Sequence, residues 1–283
     1  MQIAGTIDSV RKAVKKARSE GRTIGLVPTM GALHQGHISL IKAATQKCDF
    51  VVVSIFVNPA QFGPGEDLDK YPRDLEADYR ICENAGVRLI FAPEDKQMYP
   101  DKNLTWITVD ELSENLCGRF RPGHFRAVAT VCAKLFNIVC ADIAFFGQKD
   151  AQQAILIKRM VTDLNMDLEI VICPTVREDS GLALSSRNKY LSPEEKKDAQ
   201  LLYRSLKICE TMAFEGIRDC QKLTQAIRRE LDKSTRIQIE YVSITDAQKL
   251  QDIKRIDRSA LVSLAVKIGT ARLIDNILLD LNK

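Results

Sequence analysis

Short apolar runs alternate with helix-like segments through the first part of the chain. In His124–Val139 and Asp150–Leu164, apolar side chains recur at the three- and four-residue spacing of a helix with one buried face. The apolar runs, which predict strands, are Thr23–Val27, Phe50–Val57, Val87–Phe91, Thr105–Val109, Ile143–Phe146 and Leu168–Cys173. Strands that alternate with helices predict an α/β fold with a parallel, Rossmann-like sheet. Such sheets bind ligands outside the carboxyl ends of their strands.

The pattern changes after Val176. Two helix-like segments, Pro193–Met212 and Asp219–Lys233, are followed by successive strand-like runs without helices between them. These runs are Gln238–Ile244, Leu261–Ile268 and Arg272–Leu279. We therefore predict two domains: residues 1–176 form the Rossmann-like nucleotide-binding domain, and residues 177–283 form a smaller α+β domain that closes over its ligand site.

Composition and charge exclude several classes of function. The chain has 41 basic and 37 acidic residues, and a net charge of +4 does not favour binding to nucleic acids or membranes. Its eight cysteines include no C-x-x-C pair, which indicates reduced structural thiols rather than a zinc or redox site. The longest apolar run, Phe50–Val57, is too short to span a bilayer. We therefore expect a cytoplasmic protein.

The loop Pro28–His37 is the strongest candidate for chemistry. It joins a predicted strand to a predicted helix, and it holds two of the three histidines of the chain. His34 and His37 stand three residues apart, so they share one face of the helix start, where free backbone N–H groups favour an anion. We predict a nucleotide-phosphate site here, in which Gly36 leaves room for a base or ribose. The alternative is an ordinary turn with two exposed histidines.

Four further polar segments lie near strand ends or helix starts. They are Asn58–Gly63, Arg119–Phe125, Phe146–Gln153 and Leu184–Asn188. Their amides, hydroxyls and cationic groups are donors suited to a small polar substrate and a polyphosphate. Taken singly, each segment also has a simpler interpretation: a turn, surface charges, a helix cap at Asp150, or a polar loop.

Taken together, the segments resemble one family, pantothenate synthetase or pantoate–β-alanine ligase. The resemblance covers nearly the whole chain in the order of the family, through Pro28–His34, Phe56–Gly63, Tyr71–Arg73, Arg121–Phe125, Gly147–Asp150, Ser185–Asn188 and Ala271–Asn276. The paired-histidine loop alone is shared with a wider group of nucleotidylyltransferases and with class I aminoacyl-tRNA synthetases. The segments Asn58–Phe62 and Gly147–Gln153 narrow the resemblance to the ligase.

The resemblance implies a reaction in two steps. The carboxylate of (R)-pantoate would attack the α-phosphorus of ATP to give pantoyl adenylate and pyrophosphate. The amine of β-alanine would then attack the activated carbonyl and release pantothenate and AMP. Mg²⁺ would accompany ATP, and the family resemblance suggests a homodimer. A nucleotidylyltransferase that acts on another small substrate is the alternative.

The resemblance also implies a role for individual residues. His37, His34, Lys149 and Arg187 would be the catalytic residues that stabilise charge on the phosphates. The expected ATP site consists of Met30, Gly31, Ala32, Leu33, His34, Gln35, Gly36, His37, Gly147, Gln148, Lys149, Asp150, Val176, Leu184, Ser185, Ser186 and Arg187. The expected binding residues for the other substrates are Gln61, Gln153, Asn58, Arg121 and His124.

The chain departs from the family pattern at the expected metal site. Asp78 matches one member of an acidic pair that some relatives place near magnesium. The preceding residue here is Ala77. The metal ligands are therefore not assigned, and Asp78 is the one candidate.

Overall fold

The computed structural model describes residues 1–281, and strands alternate with helices over its first 173 residues. The strands of this part are β1 (Gln2–Ala4), β2 (Ile24–Thr29), β3 (Phe50–Ile55), β4 (Leu89–Phe91), β5 (Ile143–Gly147) and β6 (Glu169–Cys173). The helices are α1 (Ile7–Ser19), α2 (Gln35–Lys47), α3 (Leu75–Asn84), α4 (Asp95–Met98), α5 (Cys117–Phe120), α6 (His124–Val139) and α7 (Ala151–Asp163). The six strands form one parallel sheet, which confirms the predicted Rossmann-like class.

The order of the strands creates a ligand crevice. The order is β1-β4-β3-β2-β5-β6. From β2 the chain adds β3 and β4 on one side, and from β5 it adds β6 on the other side. Among the described residues, β2 and β5 pair only at Gly25–Ile143 and Leu26–Ala144. Their carboxyl ends are therefore not joined to each other, and a crevice opens at the point where such sheets bind ligands.

Helices cover both faces of the sheet. Helices α1, α6 and α7 pack on one face, and α2 and α3 pack on the other. Helix α6 has buried residues around most of its circumference, from Phe125 to Val139, because it lies between the sheet and neighbouring helices. The helix that the apolar periodicity predicted is therefore a central element of the core.

A second, antiparallel sheet follows two long helices. Helices α8 (Pro193–Phe214) and α9 (Cys220–Leu231) precede β7 (Ile237–Asp246), β8 (Ser259–Ile268) and β9 (Ala271–Asp280), which pair in the order β7-β8-β9. The helices cover one face of this sheet. On the opposite face, Leu261 and Ile274 pack with the core of the parallel sheet. The smaller α+β architecture is thus as predicted, while the domain boundary at residues 176/177 stays a prediction.

The strands predicted from the sequence differ from the structure in two places. Residues Thr105–Val109 form no strand in the described chain; their backbone instead contacts the side of α6, where the Ile107 N–H donates to the Thr130 hydroxyl at 3.0 Å. A helix offers no edge for strand pairing, although the residue types favour a strand. The short strand β1 was missed because three residues carry too little pattern to be recognised.

Leu202→Ala should destabilise the protein much more than Leu201→Ala. Leu202 is 1% exposed in the core between the helices and the second sheet, whereas its neighbour Leu201 is only partly buried. Truncation at Leu202 leaves a cavity and should cost about 2–5 kcal/mol in the free energy of unfolding. Chemical denaturation of both variants measures the difference, and equal losses would contradict this packing.

Candidate active site

A cleft opens where the carboxyl ends of β2, β3 and β5 face the second sheet. A cavity of about 240 Å³ is lined by the loop after β2, the start of α7 and the segment around Leu184. A larger cavity of about 1060 Å³ extends from it towards β9 and the loop between Ala60 and Lys70. The two cavities share the residues Gln61, Phe62, Arg121, His124, Lys149, Asp150, Ser185 and Arg187. They therefore form one continuous site.

The loop after β2 is held by a buried carboxylate. The two oxygens of Asp78 accept hydrogen bonds from the backbone N–H groups of Ala32 (2.9 Å) and Leu33 (2.7 Å). Gly31 has a φ of +81°, and a Cβ there would lie 2.9 Å from Asp78 Oδ2. Burial raises the pKa of the Asp78 carboxyl, and the two N–H donors act in the opposite direction. Asp78 therefore fixes the shape of the histidine loop.

His34 and His37 cap the start of α2 in a reciprocal arrangement. His34 Nδ1 accepts from the Gly36 N–H at 3.1 Å, and His37 Nδ1 accepts from the His34 N–H at 3.3 Å. An Nδ1 atom that accepts a hydrogen bond carries no proton, so the proton of each neutral ring lies on Nε2. Both residues line the smaller cavity. The two rings can therefore donate Nε2–H to a ligand.

Both imidazoles are neutral at physiological pH. Burial, aided by the charge of Lys149, lowers the pKa of His34 to about 4. Burial together with His34 lowers the pKa of His37 to about 3. The predicted histidine pair is thus brought together, with ring centroids 4.2 Å apart, as hydrogen-bond donors rather than cations.

The structure gives a further reason for a glycine at position 36, which lines the smaller cavity; the room that it leaves for a base or ribose stays a prediction. A Cβ at this position would lie 2.9 Å from Cε1 and 3.0 Å from Nδ1 of His34. The glycine first makes room for the His34 ring, which rests on the helix start. This close contact keeps the capping geometry of the two histidines.

Gln61 lies in the loop after β3 and lines both cavities. Its carbonyl oxygen accepts from His124 Nδ1 at 2.8 Å and from Arg121 at 3.3 Å, and its side-chain oxygen accepts from Asn58 Nδ2 at 3.2 Å. Burial, with the nearby charge of Arg121, lowers the pKa of His124 to about 4. Asn58, Arg121 and His124 thus hold Gln61 through contacts within the protein.

Two arginines of the cleft are paired with carboxylates that the sequence analysis missed. Arg121 binds Glu66 at 2.8 and 2.5 Å, and Arg187 binds Asp67 at 2.9 and 2.8 Å. Burial opposes the ionisation of both acids, but the arginine hydrogen bonds outweigh it and hold the pKa of each carboxyl below its usual range. The sequence offered one signal for these pairs, namely two adjacent acidic residues, Glu66 and Asp67, in the glycine-rich segment Gly63–Asp69.

The segment after β5 brings Lys149, Asp150 and Gln153 to the site. Lys149 Nζ lies 3.6 Å from Asp150 Oδ1, and both residues line both cavities. Asp150 precedes α7 but makes no side-chain capping bond, so the simple cap that the sequence left open is not found. The side-chain amide of Gln153 lines the cleft and has no hydrogen-bond partner among residues 1–281. It is available to a ligand.

The segment after β6 closes the other wall. The Leu184 N–H donates to the Val176 carbonyl at 3.0 Å, and the Ser185 hydroxyl accepts from the Arg187 N–H at 3.3 Å. Val176 and Leu184–Arg187 all line the smaller cavity. Of the residues expected at the ATP site, those that line the cleft are Met30, His34, Gly36, His37, Gly147, Lys149, Asp150, Val176 and Leu184–Arg187. Five others line neither cavity: Gly31, Ala32, Leu33, Gln35 and Gln148. Their role in binding ATP stays a prediction.

Comparison with known proteins identifies the family. The sequence profile of the pantoate-beta-alanine ligase family matches residues 2–278. The chain belongs to the pantoate-beta-alanine ligase family. The pantothenate synthetase of Pelotomaculum thermopropionicum is 53% identical over 99% of both chains, and that of Thermotoga petrophila is 50% identical over 99% of this chain and all of the relative. The expectation of a ligase enzyme from this family is confirmed.

Solved structures of the family share this fold. Pantothenate synthetase from Thermus thermophilus is 42% identical, with a TM-score of 0.93 over 98% of this chain and 99% of that one. Pantoate-beta-alanine ligase from Francisella tularensis is 37% identical, with a TM-score of 0.80 over 98% of this chain and 97% of that one. The Francisella structure is a complex with beta-gamma ATP and beta-alanine.

Residues 1–281 form no preformed cage for a metal ion. Residues 1–281 contain no cluster of three or more His, Cys, Asp or Glu side chains placed to hold one. Both oxygens of Asp78, the candidate ligand, accept backbone hydrogen bonds. Over the same residues, no helix combines the length and apolar character that a membrane span requires.

The lowered histidine pKa values predict a loss of stability in mild acid. An unfolded histidine titrates near 6.5, so between about pH 6.5 and 4 the unfolded chain binds more protons than the folded one. The contribution of the neutral histidines to the free energy of unfolding should therefore be fully present above pH 6.5. The free energy of unfolding should decrease as the pH falls towards 4. NMR titration of the three imidazoles, with thermal unfolding at each pH, measures both effects. An imidazole of His34 or His37 that titrates near pH 6.5 would contradict this geometry.

Proposed function

We propose that this chain catalyses the ATP-dependent condensation of (R)-pantoate with β-alanine, giving pantothenate, AMP and pyrophosphate through pantoyl adenylate. One observation carries the proposal. The Nε2–H donors of His34 and His37, the ammonium of Lys149 and the unpaired amide of Gln153 meet in one cleft at the carboxyl ends of β2 and β5. Family membership and the ATP and beta-alanine complex of the Francisella relative support it.

The first step needs alignment and charge stabilisation more than covalent help from the protein. A carboxylate oxygen of pantoate attacks the α-phosphorus, and the bond to the pyrophosphate oxygen breaks. Gln61 and Gln153 would hold pantoate by their amides in line with this bond. His34, His37 and Lys149 would donate to phosphate oxygens whose negative charge increases in the transition state.

The neutral state of the histidines suits this task. A neutral Nε2–H donor stabilises developing charge without holding the product pyrophosphate as tightly as a full cation would. Lys149 supplies the positive charge. Because Asp78 and the capping bonds fix the loop beforehand, the donors need little reorganisation when the charge develops.

Mg²⁺ fits this site as a companion of ATP. Magnesium commonly binds through phosphates with one or two carboxylates rather than in an all-protein cage, and the described residues offer no such cage. Asp150, whose side chain is 50% exposed in the cleft, would be the protein carboxylate nearest the phosphates that Lys149 contacts. The ion would neutralise phosphate charge. Asp78, whose two oxygens accept backbone hydrogen bonds, would position the loop, and its role as a metal ligand stays a prediction.

In the second step, the β-alanine amine attacks the activated carbonyl, and the bond to AMP breaks. Pantoyl adenylate is open to hydrolysis, so exclusion of water is part of the function. The segment Leu184–Arg187 and the sheet β7–β9 would cover the intermediate, as expected for residues 177–283. The homodimer suggested by the family stays a prediction, which sedimentation of the purified protein tests.

Incubation with ATP, Mg²⁺, pantoate and β-alanine tests the function. AMP and pantothenate should form in equal amounts, and AMP should require both pantoate and β-alanine. Release of pyrophosphate without AMP would instead indicate a nucleotidylyltransferase that stops at an adenylylated product. A protein that releases neither would refute both activities.

His37→Ala should lower the rate of pyrophosphate release in the presence of pantoate by roughly 100-fold or more, as for loss of a preorganised donor. Lys42→Ala, an exposed position on the same helix, is the matched control and should retain activity. Thermal unfolding of both variants shows whether α2 remains folded. A folded His37→Ala protein with near-normal release would remove His37 from the mechanism.

Asp67→Asn should lower the ATP concentration needed for half-maximal rate. Arg187 must leave Asp67 to contact phosphate, and weakening this part-buried pair should favour ATP by roughly 2–5-fold, the equivalent of about 0.5–1 kcal/mol. Asp69→Asn is the control, because it removes the same negative charge two residues away without touching the Arg187–Asp67 pair. It therefore distinguishes loss of the ion pair from a general change in charge near the cleft. An equal change in both variants would show that Arg187 does not have to exchange partners.

A further inference from the structure

A residue of the last strand reaches across to the predicted phosphate site. Asn276, on β9, donates from Nδ2 to the carbonyl oxygens of Gln148 (3.0 Å) and Lys149 (2.9 Å). Its Oδ1 accepts from Gln148 Nε2 at 2.9 Å. The residue is 5% exposed. One buried side chain from the second sheet thus binds two consecutive carbonyls of the turn that follows β5.

Asn276 is itself held by a buried ion pair. Its backbone N–H donates to Asp275 Oδ1 at 2.8 Å, and both oxygens of Asp275 bind Arg177, at 2.6 and 2.9 Å. The side chain of Asp275 is 1% exposed, and the Arg177 guanidinium lies 3.9 Å from the ring centroid of Tyr203. A buried ion pair contributes little net stability unless its geometry is fully satisfied, but in some proteins it specifies the position of the groups around it. Here the position specified is that of Asn276.

The turn that Asn276 binds determines the position of the Lys149 backbone, from which the side chain extends. The Lys149 side chain is a flexible four-carbon stem, and Asp150 at 3.6 Å is its one ion-pair partner among residues 1–281. Its ammonium can therefore be directed reproducibly only if the backbone beneath it is fixed. Two hydrogen bonds to the Gln148 and Lys149 carbonyls orient these peptide groups towards the second sheet, while the Lys149 side chain lines the cleft.

We propose that Asn276 is a positioning residue for Lys149. Through this contact, the geometry of the phosphate site depends on how the second sheet packs against the turn after β5. The inference rests on the proposed role of Lys149 at the ATP phosphates. Asn276 touches neither substrate in this scheme. It acts through the backbone of the turn, and its contribution should therefore disappear when the Lys149 ammonium is absent.

A double-mutant cycle tests this dependence. The proteins are the full-length chain, Asn276→Ala, Lys149→Met and the double variant, and the readouts are pyrophosphate release with pantoate and the ATP dissociation constant from calorimetry. Displacement of a catalytic group should lower the rate of release between about 10- and 100-fold in Asn276→Ala. In the Lys149→Met background, the same substitution should change rate and affinity less than about twofold, because the coupled group is gone.

Three comparisons separate positioning from general damage. Asn276→Asp keeps the size of the side chain but cannot donate to two carbonyls, so it should match Asn276→Ala. Leu278→Ala, at a 52% exposed position of the same strand, should leave release unchanged. The ratio kcat/KM for β-alanine should stay constant in Asn276→Ala, since the contact concerns the adenylation step that precedes the reaction with β-alanine, whereas damage to the fold would lower it.

Additive effects of the two substitutions, or normal release by Asn276→Ala, would overturn the inference. Failure of the proposed function has a different signature, because the unmodified protein would then form no AMP and pantothenate from ATP, pantoate and β-alanine. A loss of activity in Lys149→Met without coupling to Asn276 would leave the function in place and reject only the positioning role.

Discussion

The separation of β2 from β5 beyond Leu26 is the constraint on which the site depends. The two strands share a short register and then run on to different partners, so their carboxyl ends stand apart at the centre of the sheet. The loop with the two histidines follows one strand, and the turn with Lys149 follows the other. If the strands paired over their full length, the two groups would have no space between them for a nucleotide.

The cleft contains many charged groups, yet the protein compensates most of them internally. Arg121 and Arg187 are each paired with a carboxylate of one loop, and the histidines are kept neutral by burial. An uncompensated positive charge, prepared in advance for a polyphosphate, would cost stability in the absence of ligand. Internal carboxylates remove this cost, and the ligand takes their place at Arg187 in the proposed reaction.

The sequence was sufficient for most of the architecture, because long periodic elements such as α6 carry a clear signal. It was also sufficient for most of the segments around the site, since they follow a predicted strand or precede a predicted helix. It was insufficient for Thr105–Val109, where residue preference favoured a strand but the segment contacts helix α6. The contacts of Asp78 and the ion pairs of Glu66 and Asp67 could not be predicted from the sequence. They join segments that are distant along the chain, and no periodic pattern marks them.

The roles within the site were harder to predict than its location. Paired histidines at a helix start indicated an anion site, but their protonation depends on burial and on which nitrogen accepts the capping bond. Arg121 and His124 were expected to contact substrate, and the structure instead shows them holding Gln61 and Glu66. Whether they also contact a substrate stays a prediction.

The bond between Asn276 and the turn after β5 also has a consequence for folding. It joins groups that are 128 residues apart along the chain. Contacts across such distances carry a large loop-closure cost and form after local structure is in place. The lysine turn therefore gains its final support only when the last strand docks. In the proposed reaction, a chain whose last strand has not docked would lack a positioned Lys149 and would therefore form no adenylate that it could not protect.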